Sequence, residues 1–237
     1  MQNFFSKIKL MWTDLSLRKK VLFVLFSLVI FRLLSAIPIP GIDAVALERF
    51  LSNNQFFGIL NIFSGGGLSN LSIIMLGVGP YITGSIIMQL LTIMVPSLKK
   101  IYHEEGEAGR KKFTQYSRLL TVPLAAIQGF SLLAILENQN ILINLTAFDR
   151  ITNLVIVIAG SILLMWLGEL VSEFGISNGV SLIIFAGIVS SLPSSVAQLI
   201  FAFDVSQIPI YLGFVFAGIL IVAGVVLVTE AERPIPV

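Results

Sequence analysis

The stretch "NIFSGGGLSN" (residues 61–70) decides how this chain is read. It carries three consecutive glycines, two serines and two asparagines. It also stands directly before a long apolar run, in a chain that is 56% hydrophobic with a mean hydropathy of +0.96. Just upstream lies "FFGILNIF", which is too short to cross a ~30 Å hydrocarbon layer. It is also too apolar for an ordinary exposed loop. Irregular backbone is tolerated at membrane depth only when buried in protein or lining a cavity. The segment therefore reads as a re-entrant piece. A loop resting on the lipid surface is the alternative.

Working outward, six apolar runs approach or reach the ~20 residues of a membrane helix: residues 21–37, 73–95, 119–136, 151–167, 179–201 and 208–228. Backbone groups in lipid must be satisfied within the segment, so runs of this length are helices. The alternating pattern of a transmembrane barrel is missing. The fold class is an all-α polytopic membrane protein with six transmembrane helices and a re-entrant segment. The first run carries Arg32 and ends in "IPIPG" rather than a small-residue cleavage site, so it reads as a retained anchor. Ahead of it, Phe4, Ile8, Met11, Trp12 and Leu15 fall near helical spacing. Residues 1–20 are thus expected as an amphipathic interfacial helix, with a disordered basic tail as the other reading.

Lysine and arginine set the orientation. Twelve of the 15 lie before the first run, between the second and third, or after the sixth. Both termini are therefore expected on the cytoplasmic side, with residues 96–118 as a basic cytoplasmic loop. Arg32, Arg49 and Arg150 fall toward the other face.

The chemistry is sparse. The chain has no cysteine and one histidine, His103, which excludes thiol catalysis, Cys-ligated clusters and a His-rich metal centre. No Asp, Glu, Lys or His falls near the middle of a run, where a charge costs ~2.5–3.5 kcal/mol and marks proton relays or ion sites. "EGEAGRKK" lacks the spacing of a nucleotide loop. No enzyme, metal or cofactor signature is found. The second run has a polar stripe, Thr83, Ser85, Gln89 and Thr92, beside Gly77, Gly79 and Gly84. This reads either as close helix packing or as an edge that parts from a neighbour.

Four segments in order resemble one family: "FRLLSAIPIPGID" (31–43), "NIFSGGGLSNLSIIMLGVGPYITGSIIMQLL" (61–91), "EEGEAGRKKFTQYSR" (104–118) and "LMWLGELVSEFGISNGVSLIIFAGIV" (164–189). They are similar to the SecY protein-conducting channel family. The resemblance implies the amino-terminal half of an inverted-repeat channel in residues 21–203, and the next helix with the start of a cytoplasmic loop in 204–237. It implies a plug at about 57–70, with Phe57, Ile59, Leu60, Ile62, Phe63, Ser64, Gly65, Gly66 and Gly67 as its core. It implies an apolar pore ring at Val78, Ile82, Val180 and Ile184, and a lateral gate edge at Thr83, Gln89 and Thr92. Lys99, Lys100, Arg110, Lys111 and Lys112 would contact a ribosome or motor.

The implied function is that of the central subunit of a translocase, passing secretory proteins across the membrane and releasing membrane helices sideways into lipid. Implied partners are SecE-like and SecG-like subunits, the SecA motor ATPase, the ribosome and a nascent polypeptide or signal sequence. The membrane is expected to be the bacterial plasma membrane, or else a thylakoid. Helices seven to ten of the family are not matched, so the chain alone is expected not to seal a pore. They would lie in the same or another chain. A small-solute transporter with broken helices and a non-conducting insertion scaffold are the alternatives.

Overall fold

The computed structural model describes residues 14–54, 57–58, 61, 64, 66–143, 145–201 and 207–230, with backbone alone at 44, 194 and 199. The expected interfacial segment before Asp14 and the tail after Glu230 lie outside the described residues. The chain falls into two compact units, Met1–Ser191 and Leu192–Val237.

In the first unit, α1 (Leu15–Ser35) starts at Asp14, whose carboxylate accepts from Ser16 N at 2.9 Å and Ser16 Oγ at 2.8 Å. Pro38 and Pro40 then hold the chain extended. The short α2 (Ala44–Asn53) begins at Asp43, which accepts from Val45 N and Ala46 N. This outer segment is stitched down by isolated antiparallel bridges, Pro38 to Ser72 and Ile42 to Leu142.

The second apolar run departs from the expected continuous helix. Helix α3 (Gly79–Met94) starts only at Gly79, and residues 73–78 form successive turns. Their polar groups find partners elsewhere. Ile73 N donates to the Ile37 carbonyl at 3.0 Å, and Ile39 N to that of Leu71 at 2.9 Å. Ser161 Oγ donates to the Gly77 carbonyl at 2.9 Å. Gly160, in the helix Ala147–Phe174, lets that helix approach: a Cβ there would stand 1.9 Å from the Ile73 carbonyl oxygen. The turns are tolerated at membrane depth because they are buried in protein rather than lipid.

Past Val95 the chain bends by 110° into α4 (Pro96–His103). Only Glu104 and Glu105 separate α4 from α5 (Gly106–Asn138), so the expected basic loop is helical nearly throughout. Helix α5 buries a stripe of mainly small residues, Gly109, Ser117, Thr121, Ala125 and Gly129 among them. At Gly84 of α3 a Cβ would meet the Ser117 carbonyl oxygen at 3.2 Å, so the two helices pack closely. Helix α6 (Ala147–Phe174) opens with a capping box between Thr146 and Asp149. Helix α7 (Gly179–Phe201) comes next.

One apolar core gathers Leu47, Leu68, Leu71, Met75, Leu136 and Val157. A second gathers Phe31, Ile74, Val78, Leu164, Leu167 and Ile183.

In the second unit, α8 (Ile208–Glu230) is apolar up to Thr229, and its side chains are exposed or half-exposed.

By length and composition, α5, α6, residues 179–198 of α7, and α8 are able to cross a membrane, as is the bent α3–α4 pair if counted as one span. This differs from the six uninterrupted spans that hydropathy alone suggests. Helix α1 falls short because Arg18, Lys19 and Lys20 at one end and Arg32 at the other leave only residues 21–31 free of charge. The long stems of those side chains can carry their charges to the two interfaces.

Candidate functional site: an apolar constriction between two cavities

Val78 at the cap of α3, Ile82 within it, and Val180 and Ile184 on α7 lie about a hundred residues apart in sequence, yet they join one apolar cluster with Phe31, Ile74 and Leu164. Val78 is buried and the other three are half-buried. Val180 and Ile184 are four residues apart on one face of α7, and Val78, the cap residue of α3, lies one turn before Ile82, whose N donates to the Val78 carbonyl at 3.0 Å.

Two cavities border this cluster. One, of about 590 Å³, is mostly apolar and includes Val78, Ile82 and Ile184 in its wall, together with Phe57, Ser64 and Leu68. The other, of about 380 Å³, is polar, with Ser85, Gln89, Glu169 and Asn178 in its wall beside Ile82, Val180 and Ile184. Ile82 and Ile184 are thus common to both. Where an apolar constriction of this kind narrows a pore, it opposes the passage of water and ions by dewetting.

Of the expected plug residues, Phe57, Ser64, Gly66 and Gly67 are described. Ile59, Leu60, Ile62, Phe63 and Gly65 lie outside the described residues. Phe57 leans on Phe50 of α2, their ring centroids 4.8 Å apart. Ser64 is buried and its Oγ accepts from Leu68 N at 3.1 Å. Asn61 accepts at its carbonyl from Gly66 N (2.9 Å) and at Oδ1 from Ser69 N (2.7 Å). Gly66 holds φ at +81°, a value that favours glycine. The described residues of the half-polar stretch are therefore tied by short-range hydrogen bonds, and Ser64 and Leu68 line the first cavity.

Thr83, Gln89 and Thr92 do not share a face. Gln89 is exposed and lines the polar cavity, while Thr83 lines the apolar one. Thr92 has different surroundings from Gln89. It is 9% exposed, in line with the buried Pro80, Gly84 and Met88, and its hydroxyl donates to the Gln89 carbonyl at 2.6 Å. A four-residue spacing puts these residues on one stripe.

Lys99 and Lys100 on α4, and Arg110, Lys111 and Lys112 on α5, are all exposed on one helical hairpin. Tyr102 packs on the buried Phe113 (centroids 4.7 Å apart) to close it, and Lys112 Nζ lies 2.9 Å from Glu105 Oε2. Beside the polar cavity, Arg118 Nε donates to Glu169 Oε1 and ties α5 to α6.

Sequence reasoning missed Gln128 and Ser131 as cavity residues, while Leu68 falls within the expected plug range. Gln128 and Ser131, three apart on an otherwise apolar helix, were the available signal. Among the described residues no group of three His, Asp or Glu is arranged as metal ligands would be.

The SecY family model matches residues 72–237. This chain belongs to the SecY family. It is 42% identical over 236 residues to the protein translocase subunit SecY of Streptomyces scabiei, covering 93% of this chain and 54% of that protein. It is 45% identical over 190 residues to the SecY subunit of Escherichia coli K12, covering 78% and 43%. Among solved structures it resembles Sec61 in the canine ribosome–channel complex from the endoplasmic reticulum. There the TM-score is 0.61 at 21% identity, over 93% of this chain and 49% of that one; this likeness supports the fold. The chain spans about half the length of the SecY proteins it matches.

Proposed function

We propose that this SecY-family chain forms one wall of a protein-conducting channel, with the other wall supplied by further helices. The observation that carries this is the sharing of Ile82 and Ile184 between an apolar and a polar cavity. A thin, deformable apolar neck can seal at rest and widen around a polypeptide, whatever its sequence. A solute site would instead present fixed polar partners at that level.

In this reading residues 57–70 are the plug, Val78, Ile82, Val180 and Ile184 the ring, and the exposed face of α3 around Gln89 the gate edge. The α4–α5 hairpin meets a ribosome or the SecA motor on the cytoplasmic side, where both termini also lie. SecE-like and SecG-like subunits complete the assembly in a bacterial plasma membrane. The chain performs no catalysis; bound motors supply the energy.

The test uses the absence of cysteine from this chain. In the complete channel, Ile82→Cys should form a disulfide with a cysteine in a stalled, half-translocated polypeptide. Ile93→Cys, on an exposed face, should do so far less. Equal capture at both positions, or capture at Ile93 alone, would remove the pore from this neck.

A further inference from the structure

Between residue 70, where the proposed plug ends, and Gly79, where α3 starts, the chain carries two faults side by side. Leu71 holds φ at +40°, on the left-handed side where a bulky side chain crowds its own backbone. Gly66 and Gly77, which hold φ at +81° and +61°, take the same hand with no Cβ to crowd. Ser72 follows. It is fully buried, and its hydroxyl has no hydrogen-bond partner among the described residues. The oxygen is also sealed from anything the size of water, so solvent does not supply the missing bond.

Both faults are held in place from several sides. The Leu71 side chain is fully buried in the first apolar core. Its carbonyl accepts from Ile39 N at 2.9 Å, and its N–H donates to the Leu68 carbonyl at 3.1 Å. Ser72 N donates to the Gly67 carbonyl at 2.7 Å, and the Ser72 carbonyl accepts from Met75 N at 2.9 Å. A Cβ on Gly67 would stand 3.0 Å from Ser72 Oγ and 3.1 Å from the Ser64 carbonyl oxygen, so the plug stretch closes directly over the hydroxyl. Strained backbone persists only where the surroundings over-determine it. A buried polar group without a partner likewise costs free energy that a looser arrangement recovers. Ser64 is the contrast. It is buried too, but its Oγ donates to the Asn61 carbonyl at 3.0 Å and accepts from Leu68 N at 3.1 Å.

We propose that Leu71 and Ser72 form a strained hinge that biases the plug toward release. The inference rests on reading residues 57–70 as the plug. With the plug seated, Leu71 stays left-handed and the Ser72 hydroxyl stays bare. Once the stretch around Ser64 and Gly67 lifts away, Ser72 Oγ meets water in the opened pore and Leu71 is free to return to negative φ. The closed state is thereby kept shallow, and a signal sequence needs less binding energy to open it. The sign is opposite to that of an ordinary buried contact. Removing the Ser72 hydroxyl strengthens closure, whereas removing that of Ser64 weakens it.

Ion flux through the complete channel in vesicles tests this, with a synthetic signal peptide titrated to its half-opening concentration. Ser72→Ala should need about tenfold more peptide than the unaltered protein, because opening no longer relieves an orphaned hydroxyl. Its resting leak should fall. Ser72→Cys, whose thiol is buried at little cost, should shift the midpoint the same way. Ser64→Ala should need less peptide and leak more. Leu71→Gly should need more peptide than Leu71→Ala, although on packing alone the smaller residue would need less. Those two variants thin the core; Ser72→Ala removes a single oxygen and keeps the test open if they fail to fold. A Ser72→Ala midpoint at or below that of the unaltered protein, with Ser64→Ala lowering it, would overturn the hinge and spare the plug. A Leu71→Gly midpoint at or below that of Leu71→Ala would overturn the strain at Leu71. No change in either serine variant would remove the plug reading, and the hinge with it.

Discussion

Ile82 of α3 and Ile184 of α7 stand on the boundary between two cavities, one apolar and one polar. Cutting both side chains back would join those spaces. In vesicles containing the complete channel, Ile82→Gly with Ile184→Gly should raise resting ion conductance well above that of the unaltered protein. Leu119→Gly, at a position that is 72% exposed, should not. The measurement is single-channel or bulk ion flux, matched for protein amount. Leak at the unaltered level in the double variant would mean that another constriction seals the pore.

The unwound start of the second span depends on its neighbour α6. Ser161 Oγ supplies the Gly77 carbonyl with a donor, and Ser161→Ala should cost about 1–3 kcal/mol by leaving a buried acceptor bare. Gly160→Ala should cost more, because its Cβ would fall 1.9 Å from a backbone oxygen that cannot swing away. Thermal unfolding in detergent should rank the three proteins in that order. Gly160→Ala as stable as the parent would show that the 73–78 turns shift freely against α6.

Much of this architecture is legible in the sequence, and the exceptions share a cause. Residues 179–201 read as a helix and are one, because an apolar run of that length has few alternatives. Hydropathy measures transfer into lipid, not where hydrogen bonds go. Ile73, Ile74, Met75 and Leu76 therefore read as helix although they are turns; Gly77, Gly79 and Pro80 are the only hint. Pro96 likewise marks the 110° bend, but the helix it opens is charged enough to pass for a loop. At the site, family likeness alone points to Val78, Ile82, Val180 and Ile184, and the structure gathers them in one apolar cluster. The burial of Thr92 is not legible, because a threonine in a membrane helix serves packing as readily as passage. Its spacing from Pro80, Gly84 and Met88 holds that information.

Asp14 is fully exposed, and its carboxyl is held below the usual carboxylate range, first by the Ser16 hydroxyl and then by the Ser16 backbone N–H. A lowered pKa in the folded chain means that the cap contributes stability above the ordinary aspartate value, ~3.9, and loses it as pH falls through the depressed one. The Ser16 amide resonance should titrate with a midpoint below that value. In Asp14→Asn, which caps without ionising, the titration should vanish. A midpoint at or above the ordinary value would mean that the Asp14–Ser16 contacts do not persist in solution.

The proposed gate edge makes the last prediction, because Gln89 and Thr92 lie only three residues apart yet face different surroundings. Gln89 is exposed beside the polar cavity, whereas Thr92 lies in the stripe with Gly84, which packs on α5. A helix edge that parts to admit a signal sequence must be free of such packing. With a signal-bearing polypeptide arrested in the complete channel, a photoreactive residue at position 89 should crosslink to the signal and one at 92 should not. Thr92→Ala should leave that crosslink intact and affect stability instead, by about 0.5–1.5 kcal/mol for the hydroxyl's hydrogen bond. Strong crosslinking from 92 would require α3 and α5 to separate during gating, so that the close contact at Gly84 and Ser117 would itself be the moving seam.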